Sequence, residues 1–330
     1  MPAVSVVMPV YNVEPYVGAA LDSVLAQTFQ DIEVIVVDDG CKDASIEVCE
    51  SRRDPRVRIV RQANRGLAGA RNTGIRHATG RYVALLDSDD AWHPEKLARH
   101  VQHLDERAEV GVSFSQSEFI DEAGRSLGYF QRPKLHGITP EDVLLRNPVG
   151  NGSAPVLRRR TLDAIRYRCT RAGVAEDWYF DESYRQSEDI ECWLRIALTT
   201  AWRFEGIGLP LTRYRVNATG LSANLEKQLE SWERLIGKTR GFAPEFIARH
   251  ERLARAFQLR YLARRAVRQH DPRAARSLLA RALREDWRVI GREPARTLVT
   301  GGAALLQSAL PAALYRRLEG AMLLLAGRVA

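Results

Sequence analysis

The chain has 330 residues, 45% of them hydrophobic, with a formal net charge of +8 and four cysteines. This ordinary globular composition suffices for a catalytic domain of roughly 200 residues and a smaller second unit. The cysteines lack Cys-x-x-Cys spacing, which argues against a zinc site and a disulfide framework and predicts reduced thiols at Cys41, Cys49, Cys169 and Cys192.

The positive charge is concentrated towards the end of the chain. Residues 241–330 contain 17 arginines, no lysine and 7 acidic residues, a net charge of +10, whereas residues 1–240 carry −2. Such a stretch is typical of nucleic-acid binding, of contact with an anionic membrane surface, or of a solvated helical face. Because the aromatic residues are not interleaved with the arginines, nucleic acid is the weakest of these interpretations. The start of the chain lacks the pattern of a signal peptide, which predicts a cytoplasmic protein.

Strands and helices are predicted to alternate along the first 115 residues. Hydrophobic patterning predicts strands at 4–9, 32–37, 57–60, 82–86 and 110–115, and helices at 15–27, 44–51, 68–78 and 94–106. This order predicts an α/β fold with a doubly wound, mostly parallel sheet flanked by helices. His100 and His103 are three residues apart on a predicted helix, where a solvated face is favoured over a metal-binding pair. Residues 120–160 are rich in glycine, proline and asparagine, which predicts loops and edge strands around a site.

From about residue 225 the pattern becomes helical. Leu253, Phe257 and Tyr261 recur at helical spacing, and Asp271 followed by Pro272 provides a cap and a first-turn proline for another helix. We therefore predict a C-terminal helical region.

A long uncharged segment lies near the end of the chain. Residues 297–315 carry no charge and are bounded by Arg296 and Arg316, and a second apolar patch follows at 321–326. Threonine, glycine, glutamine, serine and proline residues make 297–315 a poor membrane span. We predict a helical segment with basic flanks that lies on a surface or packs against a partner, with ordinary core packing as the alternative.

Three carboxylates follow directly on the fourth predicted strand. Residues 82–90 read Tyr-Val-Ala-Leu-Leu-Asp-Ser-Asp-Asp, so a buried apolar run ends at Asp87, Asp89 and Asp90. Ligands of open α/β sheets bind outside the carboxyl ends of the strands. Three acids this close repel one another unless a cation neutralises them, which predicts a divalent-cation site. The alternative is a helix N-terminus capped by Asp90.

Residues that suit a nucleotide follow the predicted strands at 4–9 and 32–37 and precede the predicted helix at 68–78. No glycine-rich turn follows Pro9, which argues against a dinucleotide-binding dehydrogenase. Tyr11 can stack on a base and Asp39 can accept a hydrogen bond from one, although each is also common as a core aromatic or a turn acid. Residues 64–72 combine glycines with Arg71 at a predicted helix start, which suits a phosphate-facing loop.

Four motifs occur in a characteristic order and spacing: Val-Ser-Val-Val-Met-Pro-Val-Tyr-Asn, Val-Val-Asp-Asp-Gly, Asn-Arg-Gly-Leu-Ala-Gly-Ala-Arg-Asn and Leu-Asp-Ser-Asp-Asp. Together they strongly resemble family 2 glycosyltransferases of the GT-A fold, tightly over residues 4–115 and more loosely to about residue 222. The resemblance implies that Asp87 lies toward the ribose and that Asp89, in the Asp-x-Asp element, binds the metal on the sugar-nucleotide diphosphate. It leaves Asp90 as a helix cap. It also implies that Tyr11 and Asp39 hold the nucleotide base. Pro9 and Arg71 complete the predicted nucleotide contacts.

A second carboxylate pair opens a predicted helix. Glu188 and Asp189 resemble the family's Glu-Asp element, which implies that Asp189 is the general base with Glu188 beside it, a contribution of about 10²–10⁴-fold to the rate. From the residues alone, the alternative is a helix capped by Ser187 whose acids favour the helix dipole. Where family members often read Tyr-Arg-x-His, this chain reads Tyr-Arg-Val-Asn, with Asn217 in the last position. Asparagine is a weaker metal ligand than imidazole.

The predicted domains are a nucleotide-sugar-binding catalytic domain at 1–224 and a basic helical region at 225–330 that contacts a membrane surface or a partner. The predicted function is an inverting, Mn²⁺- or Mg²⁺-dependent glycosyltransferase, peripheral on the cytoplasmic face of the membrane. It moves a single sugar from a UDP-sugar to a hydroxyl of a glycan or lipid-linked saccharide in cell-surface polysaccharide synthesis. Loops 129–153 and 170–187 are predicted to set the sugar and the acceptor, and the oligomeric state stays open.

Two functions from other classes are the alternatives. A sugar nucleotidyltransferase uses a related sheet, but is expected to carry a glycine-rich loop with Arg or Lys after the first strand, and residues 10–14 lack it. A non-catalytic scaffold would keep the fold and act through its helical end. Nucleotide binding distinguishes the three functions: metal-dependent UDP binding is expected of the transferase, preference for a nucleoside triphosphate of the nucleotidyltransferase, and no binding of the scaffold.

Overall fold

The structure is a computed structural model that describes residues 1–171, 173–216, 224–311 and 314–315. The chain divides into two compact units, one of Met1–Val143 and Asn147–Ala218 and the other of Leu144–Arg146 and Thr219–Ala330. Two sequence predictions, on Asn217 and on 321–326, fall outside the described residues.

The first part of the chain alternates strands with helices. The strands are β1 (Val4–Val10), β2 (Ile32–Asp38), β3 (Val57–Arg61), β4 (Tyr82–Leu85), β5 (Ala91–Trp92), β6 (Val110–Ile120), β7 (Ser126–Gln131), β8 (Val156–Arg158), β9 (Tyr167–Arg171), β10 (Val174–Trp178) and β11 (Arg203–Arg215). The helices are α1 (Glu14–Leu25), α2 (Ser45–Glu50), α3 (Gly66–His77), α4 (Lys96–Glu106), α5 (Pro140–Arg146), α6 (Arg159–Ile165) and α7 (Glu188–Thr199). The strands and helices predicted within 4–115 are all present, although β6 continues to Ile120.

The main sheet is mixed, with the order β3-β2-β1-β4-β8-β6-β11-β5, and β7 pairs with β6. Strands β1 to β4 are mutually parallel, as are β6 and β11, whereas β8 runs antiparallel to both β4 and β6. Strand β8 comes from the region predicted to form loops and edge strands, yet it lies inside the sheet. Its three residues are too few to show a period, but Val156 and Leu157 are fully buried.

Helices cover both faces of the parallel part of the sheet. Val6 and Met8 of β1 belong to the core cluster that includes buried residues of α1 and α4. On the opposite face, α3 approaches so closely that a Cβ on Gly74 would clash with Val7. Because successive side chains of a strand point to opposite faces, the seven buried residues of β1 serve both layers.

The second unit is helical. It contains α8 (Leu225–Phe242), α9 (Pro244–Arg268), α10 (Pro272–Glu285), α11 (Arg288–Arg292) and α12 (Pro294–Ala309). Leu253 and Phe257 are buried in one of its core clusters. The predicted cap is confirmed, because an Asp271 carboxylate oxygen accepts a hydrogen bond from the Ala274 backbone N–H at 2.9 Å. Among the described helices, none is both long and apolar enough to cross a membrane.

Candidate active site

The carboxyl ends of β1, β2 and β4 meet at one edge of the sheet. The parallel register places Val10 beside Asp38 and Val7 beside Leu85, so the residues that follow each strand lie at the same edge. Pro9 is buried within β1, whereas Tyr11, just beyond the strand, is 46% exposed. An exposed aromatic ring at this edge is available to stack on a planar ligand.

Asp39 holds the start of α3. It is buried, and its Oδ1 accepts hydrogen bonds from Gln62 Nε2 and from the Arg65 backbone N–H, each at 2.7 Å. Its Oδ2 accepts from the Gly66 backbone N–H at 2.8 Å. Since a carboxylate offers about four acceptor positions, one is left for a base N–H. The sequence did not reveal this structural role.

Arg71 joins two acidic segments that are far apart in sequence. It is 1% exposed, its Nη2 donates to Asp87 Oδ1 at 2.7 Å, and its Nη1 donates to Glu188 Oε1 at 2.8 Å. Burial opposes its charge, but Asp87 and Glu188 together raise the pKa of the guanidinium above its usual value. Within the described part of the chain, the buried Arg71 Nε has no hydrogen-bond partner.

Asp90, the last of the three carboxylates after β4, is held inside the protein. Asp90 is buried, and it accepts hydrogen bonds from Ser153 Oγ at 2.6 Å and from the Arg215 backbone N–H at 2.8 Å. Burial, reinforced by Asp89 and Asp87, raises the pKa of Asp90 well above its usual value. The predicted capping role of Asp90 is wrong.

Helix α4 begins further along the chain than that prediction required. It starts at Lys96, with Glu95 in the cap position and no side-chain cap. The Asp90 carboxylate instead accepts hydrogen bonds from β11 and from the loop that precedes β8.

The loop at 147–153 supports the carboxylates. Ser153 Oγ accepts the Asp87 backbone N–H at 3.0 Å in addition to its bond with Asp90. A Cβ on Gly152 would clash with the Arg71 guanidinium and would lie 2.5 Å from Asp87 Oδ2, so only glycine fits there. The sequence pattern predicts loops around a site here but does not indicate Ser153, because its partners lie about 60 residues away along the chain.

Glu188 and Asp189 occupy the first turn of α7. Asp189 is partly exposed, and it accepts hydrogen bonds from Asn147 Nδ2 at 3.1 Å and from the Ile190 backbone N–H at 2.8 Å. Burial raises the pKa of both carboxyl groups, and Arg71 partly opposes this rise. Ser187 occupies the cap position with a positive φ of 63° and makes no side-chain cap. Capping by its side chain therefore does not explain the acidic pair.

A buried polar cluster lies on α4. His100 is fully buried, and the Nδ1 atoms of His100 and His103 lie 2.7 Å and 2.8 Å from Ser113 Oγ. The predicted solvated face is therefore wrong for His100. Lys96 is also fully buried and donates to the Ala154 carbonyl at 2.7 Å. Burial lowers the pKa of Lys96 and of His100 well below their usual values.

The donor set at the edge of the sheet suits a hard divalent cation. Asp87 and Asp89 provide carboxylate oxygens, the ligand type that Mg²⁺ and Mn²⁺ prefer. Among residues 1–171, 173–216, 224–311 and 314–315, no group of three or more His, Cys, Asp or Glu side chains could hold a metal ion. A cation here would need oxygens from a ligand in addition to the protein.

Known proteins match this chain over different shares of its length. The sequence profile of the family described as Glycosyl transferase family 2 matches residues 5–165. The succinoglycan biosynthesis protein ExoO of Rhizobium meliloti (strain 1021) is 34% identical over 199 residues, covering 57% of this chain and 54% of ExoO. For the first three curated relatives the match covers 27%, 18% and 33% of the relative's own length, so the chain spans well under half of them.

Two solved structures share the fold at low sequence identity. The mannosyltransferase PcManGT from Pyrobaculum calidifontis, in complex with GDP-Man and Mn²⁺, matches with a TM-score of 0.57 and 22% identity, covering 99% of this chain and 86% of PcManGT. S. aureus TarS 1–349, in complex with UDP-GlcNAc, matches with 0.54 and 18%, covering 92% and 81%. The chain carries a glycosyl transferase family 2 domain over residues 5–165, and its mixed sheet flanked by helices is a GT-A fold followed by a C-terminal helical region.

Proposed function

We propose that this protein transfers one sugar from a UDP-sugar to a hydroxyl of a glycan or lipid-linked saccharide, with inversion at the anomeric carbon. The observation that carries the proposal is the bridge made by Arg71 between Asp87 and Glu188. It connects the carboxylates at the end of β4 to the pair that opens α7. We therefore propose that donor binding and proton removal occur at one site in the proposed catalytic domain, residues 1–224.

The nucleotide is proposed to lie along the carboxyl ends of β1 and β2. The exposed ring of Tyr11 would stack on the base, and Asp39 would accept the base N–H with its remaining acceptor position. Asp87 would bind the ribose and Pro9 would shape the base pocket. TarS was solved with UDP-GlcNAc and PcManGT with GDP-Man, so both nucleotides occur in this fold. The donor base is therefore the first property to measure.

Asp89 is proposed to hold Mn²⁺ or Mg²⁺ together with the diphosphate oxygens of the donor. The donor completes a set that the protein alone does not provide. Three carboxylates so close in sequence repel one another, and a cation would relieve that repulsion. When bound, the cation stabilises the negative charge that develops on the leaving diphosphate. The buried positive charge of Arg71, which lies beside Asp87, is proposed to favour the diphosphate electrostatically.

Asp189 is proposed to act as the general base. The acceptor oxygen forms a bond to the anomeric carbon while the bond from that carbon to the donor phosphate breaks, and the hydroxyl proton passes to Asp189. A single in-line displacement inverts the configuration. Asn147 fixes one oxygen of Asp189, and Glu188 beside it is held by Arg71.

The acceptor is proposed to belong to cell-surface polysaccharide synthesis, reached from the cytoplasmic face of the membrane. The name of ExoO supports the pathway class, and the basic arginine-rich end of the chain supports an anionic surface nearby.

A nucleotide panel tests the proposal. Thermal unfolding of the full chain is followed with UDP, GDP, a nucleoside triphosphate or no nucleotide, each with and without Mn²⁺. UDP with Mn²⁺ should raise the melting temperature most, because a ligand at a hundredfold excess over its Kd adds about 2.7 kcal/mol to the free energy of unfolding. The same panel on Asp89→Asn should lose the Mn²⁺-dependent part of the shift.

The other outcomes of the panel identify the alternatives. A larger shift with a triphosphate than with any diphosphate would support a nucleotidyltransferase instead. No response to any nucleotide would support a scaffold without catalytic activity. Stabilisation by GDP rather than UDP would keep the transferase and correct its donor.

A further inference from the structure

Helix α12 turns its large apolar side chains outward and buries two threonines. Leu298, Val299 and Leu305 are 69%, 71% and 62% exposed, whereas Thr297 and Thr300 are 4% and 3% exposed. A surface helix of a water-soluble unit normally shows the reverse arrangement. The outward side of this helix therefore requires a partner.

Eight of the ten exposed positions of α12 form one continuous face, whereas the exposed Arg296 and Ser308 lie outside this set. The eight recur at spacings of one, three and four residues, which places them on the same side of a helix, at Pro294, Ala295, Leu298, Val299, Gly302, Leu305, Leu306 and Ala309. None of these residues is charged. We call them the outward face of α12.

The inward side is firmly packed, so the orientation of the helix is determined by contacts. Ala304 is fully buried in a cluster with residues of α9 and α10. Gln307 Nε2 donates to the carbonyl of Val267, a residue of α9, at 2.8 Å. Rotating the helix to bury its leucines would break these contacts and leave polar groups unsatisfied.

The same part of the chain is strongly basic. Residues 241–330 carry 17 arginines and a net charge of +10, and the exposed Arg292 and Arg296 stand at the start of α12. Trp287, just before α11, is 72% exposed. An apolar helix face with arginines and tryptophan nearby is typical of helices that lie in the interface of an anionic bilayer. A second copy fits less well, because two segments of the same high positive charge repel each other.

We propose that the outward face of α12 binds the surface of a bilayer that contains anionic lipids, with the helix in the plane of the membrane. The leucines and the valine enter the boundary between headgroups and acyl chains, and the arginines pair with lipid phosphates. This inference deepens the proposed function, since it gives a transferase that acts on a lipid-linked acceptor a surface with which to reach it.

Vesicle cosedimentation of the full chain tests this directly. The vesicles contain phosphatidylcholine alone or with phosphatidylglycerol, and the variant is the double substitution Leu298→Glu with Leu305→Glu. Both side chains are exposed, so the fold should tolerate the change. The matched control is Leu209→Glu, a 42% exposed leucine on β11 of the first unit.

The wild type and Leu209→Glu should bind the anionic vesicles and show little binding to phosphatidylcholine alone. The double variant should bind at least about tenfold more weakly, because it loses two apolar anchors and adds two charges that anionic lipid repels. Unchanged binding by the double variant would overturn the proposal. So would a wild type that ignores vesicles but forms a dimer that the double variant abolishes, which would assign the face to a second copy.

Donor hydrolysis without vesicles, measured in parallel, separates this inference from the proposed function. The double variant should hydrolyse donor at the wild-type rate, since the outward face of α12 contains none of the proposed active-site residues. Vesicle binding without any donor hydrolysis would uphold the surface and reject the transferase. Donor hydrolysis by the wild type, together with equal vesicle binding by the wild type and the double variant, would support the transferase and reject the proposed membrane surface.

Discussion

Asp189→Asn should lower kcat by about 10²–10⁴-fold while leaving the Kd for the donor close to that of the wild type. The amide keeps the size of the side chain but cannot take up the acceptor proton. Initial rates with saturating UDP-sugar and metal, together with donor binding by calorimetry, give both quantities. Asp163→Asn removes a surface carboxylate on α6 that is 42% exposed, and serves as the matched control with unchanged rates.

The pH dependence of the same reaction gives a second readout. A general base must be ionised, and burial raises the pKa of Asp189 above the usual aspartate value of about 3.9. The wild-type rate should therefore rise with pH through this raised pKa and be lost as the pH falls below it. Asp189→Asn should lose this acid limb. A variant that kept both the rate and the limb would remove Asp189 from the reaction.

Arg71→Met should destabilise the catalytic unit and disable it. The substitution leaves Glu188 buried without its cation and Asp87 without its ion pair, and breaking a buried pair from one side costs about 3–5 kcal/mol. Arg71 also opposes the burial that raises the pKa of Asp189, so its loss should move the acid limb of the rate to higher pH.

Denaturant unfolding and a pH–rate profile measure the two effects of the Arg71 substitution. The matched control is Arg52→Met, which breaks the more exposed pair with Asp22 and should cost no more than about 1 kcal/mol. Arg71→Lys keeps the charge but cannot reach both carboxylates as a fork, so it should fall between the wild type and Arg71→Met. Equal stability of Arg71→Met and Arg52→Met would show that the bridge is not important for the fold.

The sequence was sufficient to predict most of the sheet and one edge of the site. Parallel strands such as β1 and β4 appear as uninterrupted apolar runs, and the residues after them must meet at one edge, so Tyr11, Asp39 and Asp87 could be grouped before the structure was known. The acidic pair at Glu188 was visible as a motif. Its connection to Asp87 through Arg71 was not, because the spacing of residues carries no information on which buried charges pair.

The roles that the sequence missed depend on contacts between distant segments. Asp90 was assigned to the next helix because a cap is a local feature, whereas its actual partners, Ser153 and Arg215, come from a loop and a strand much further along the chain. His100 was expected in solvent, since a histidine on a helix is ordinarily exposed, but α4 packs its polar side against Ser113. The inverted orientation of α12 likewise follows from its packing.

Donor turnover by the wild type and by Asp89→Ala is the most direct test of the central claim, that this cleft transfers sugar from a metal-bound nucleotide sugar. The wild type should cleave a UDP-sugar with Mn²⁺ or Mg²⁺ present and stop when the metal is chelated. Loss of the Asp89 carboxylate removes several kcal/mol of charge stabilisation, so the variant should be at least about a hundredfold slower at any metal concentration. Near-normal turnover by Asp89→Ala, or by the chelated wild type, would contradict the account.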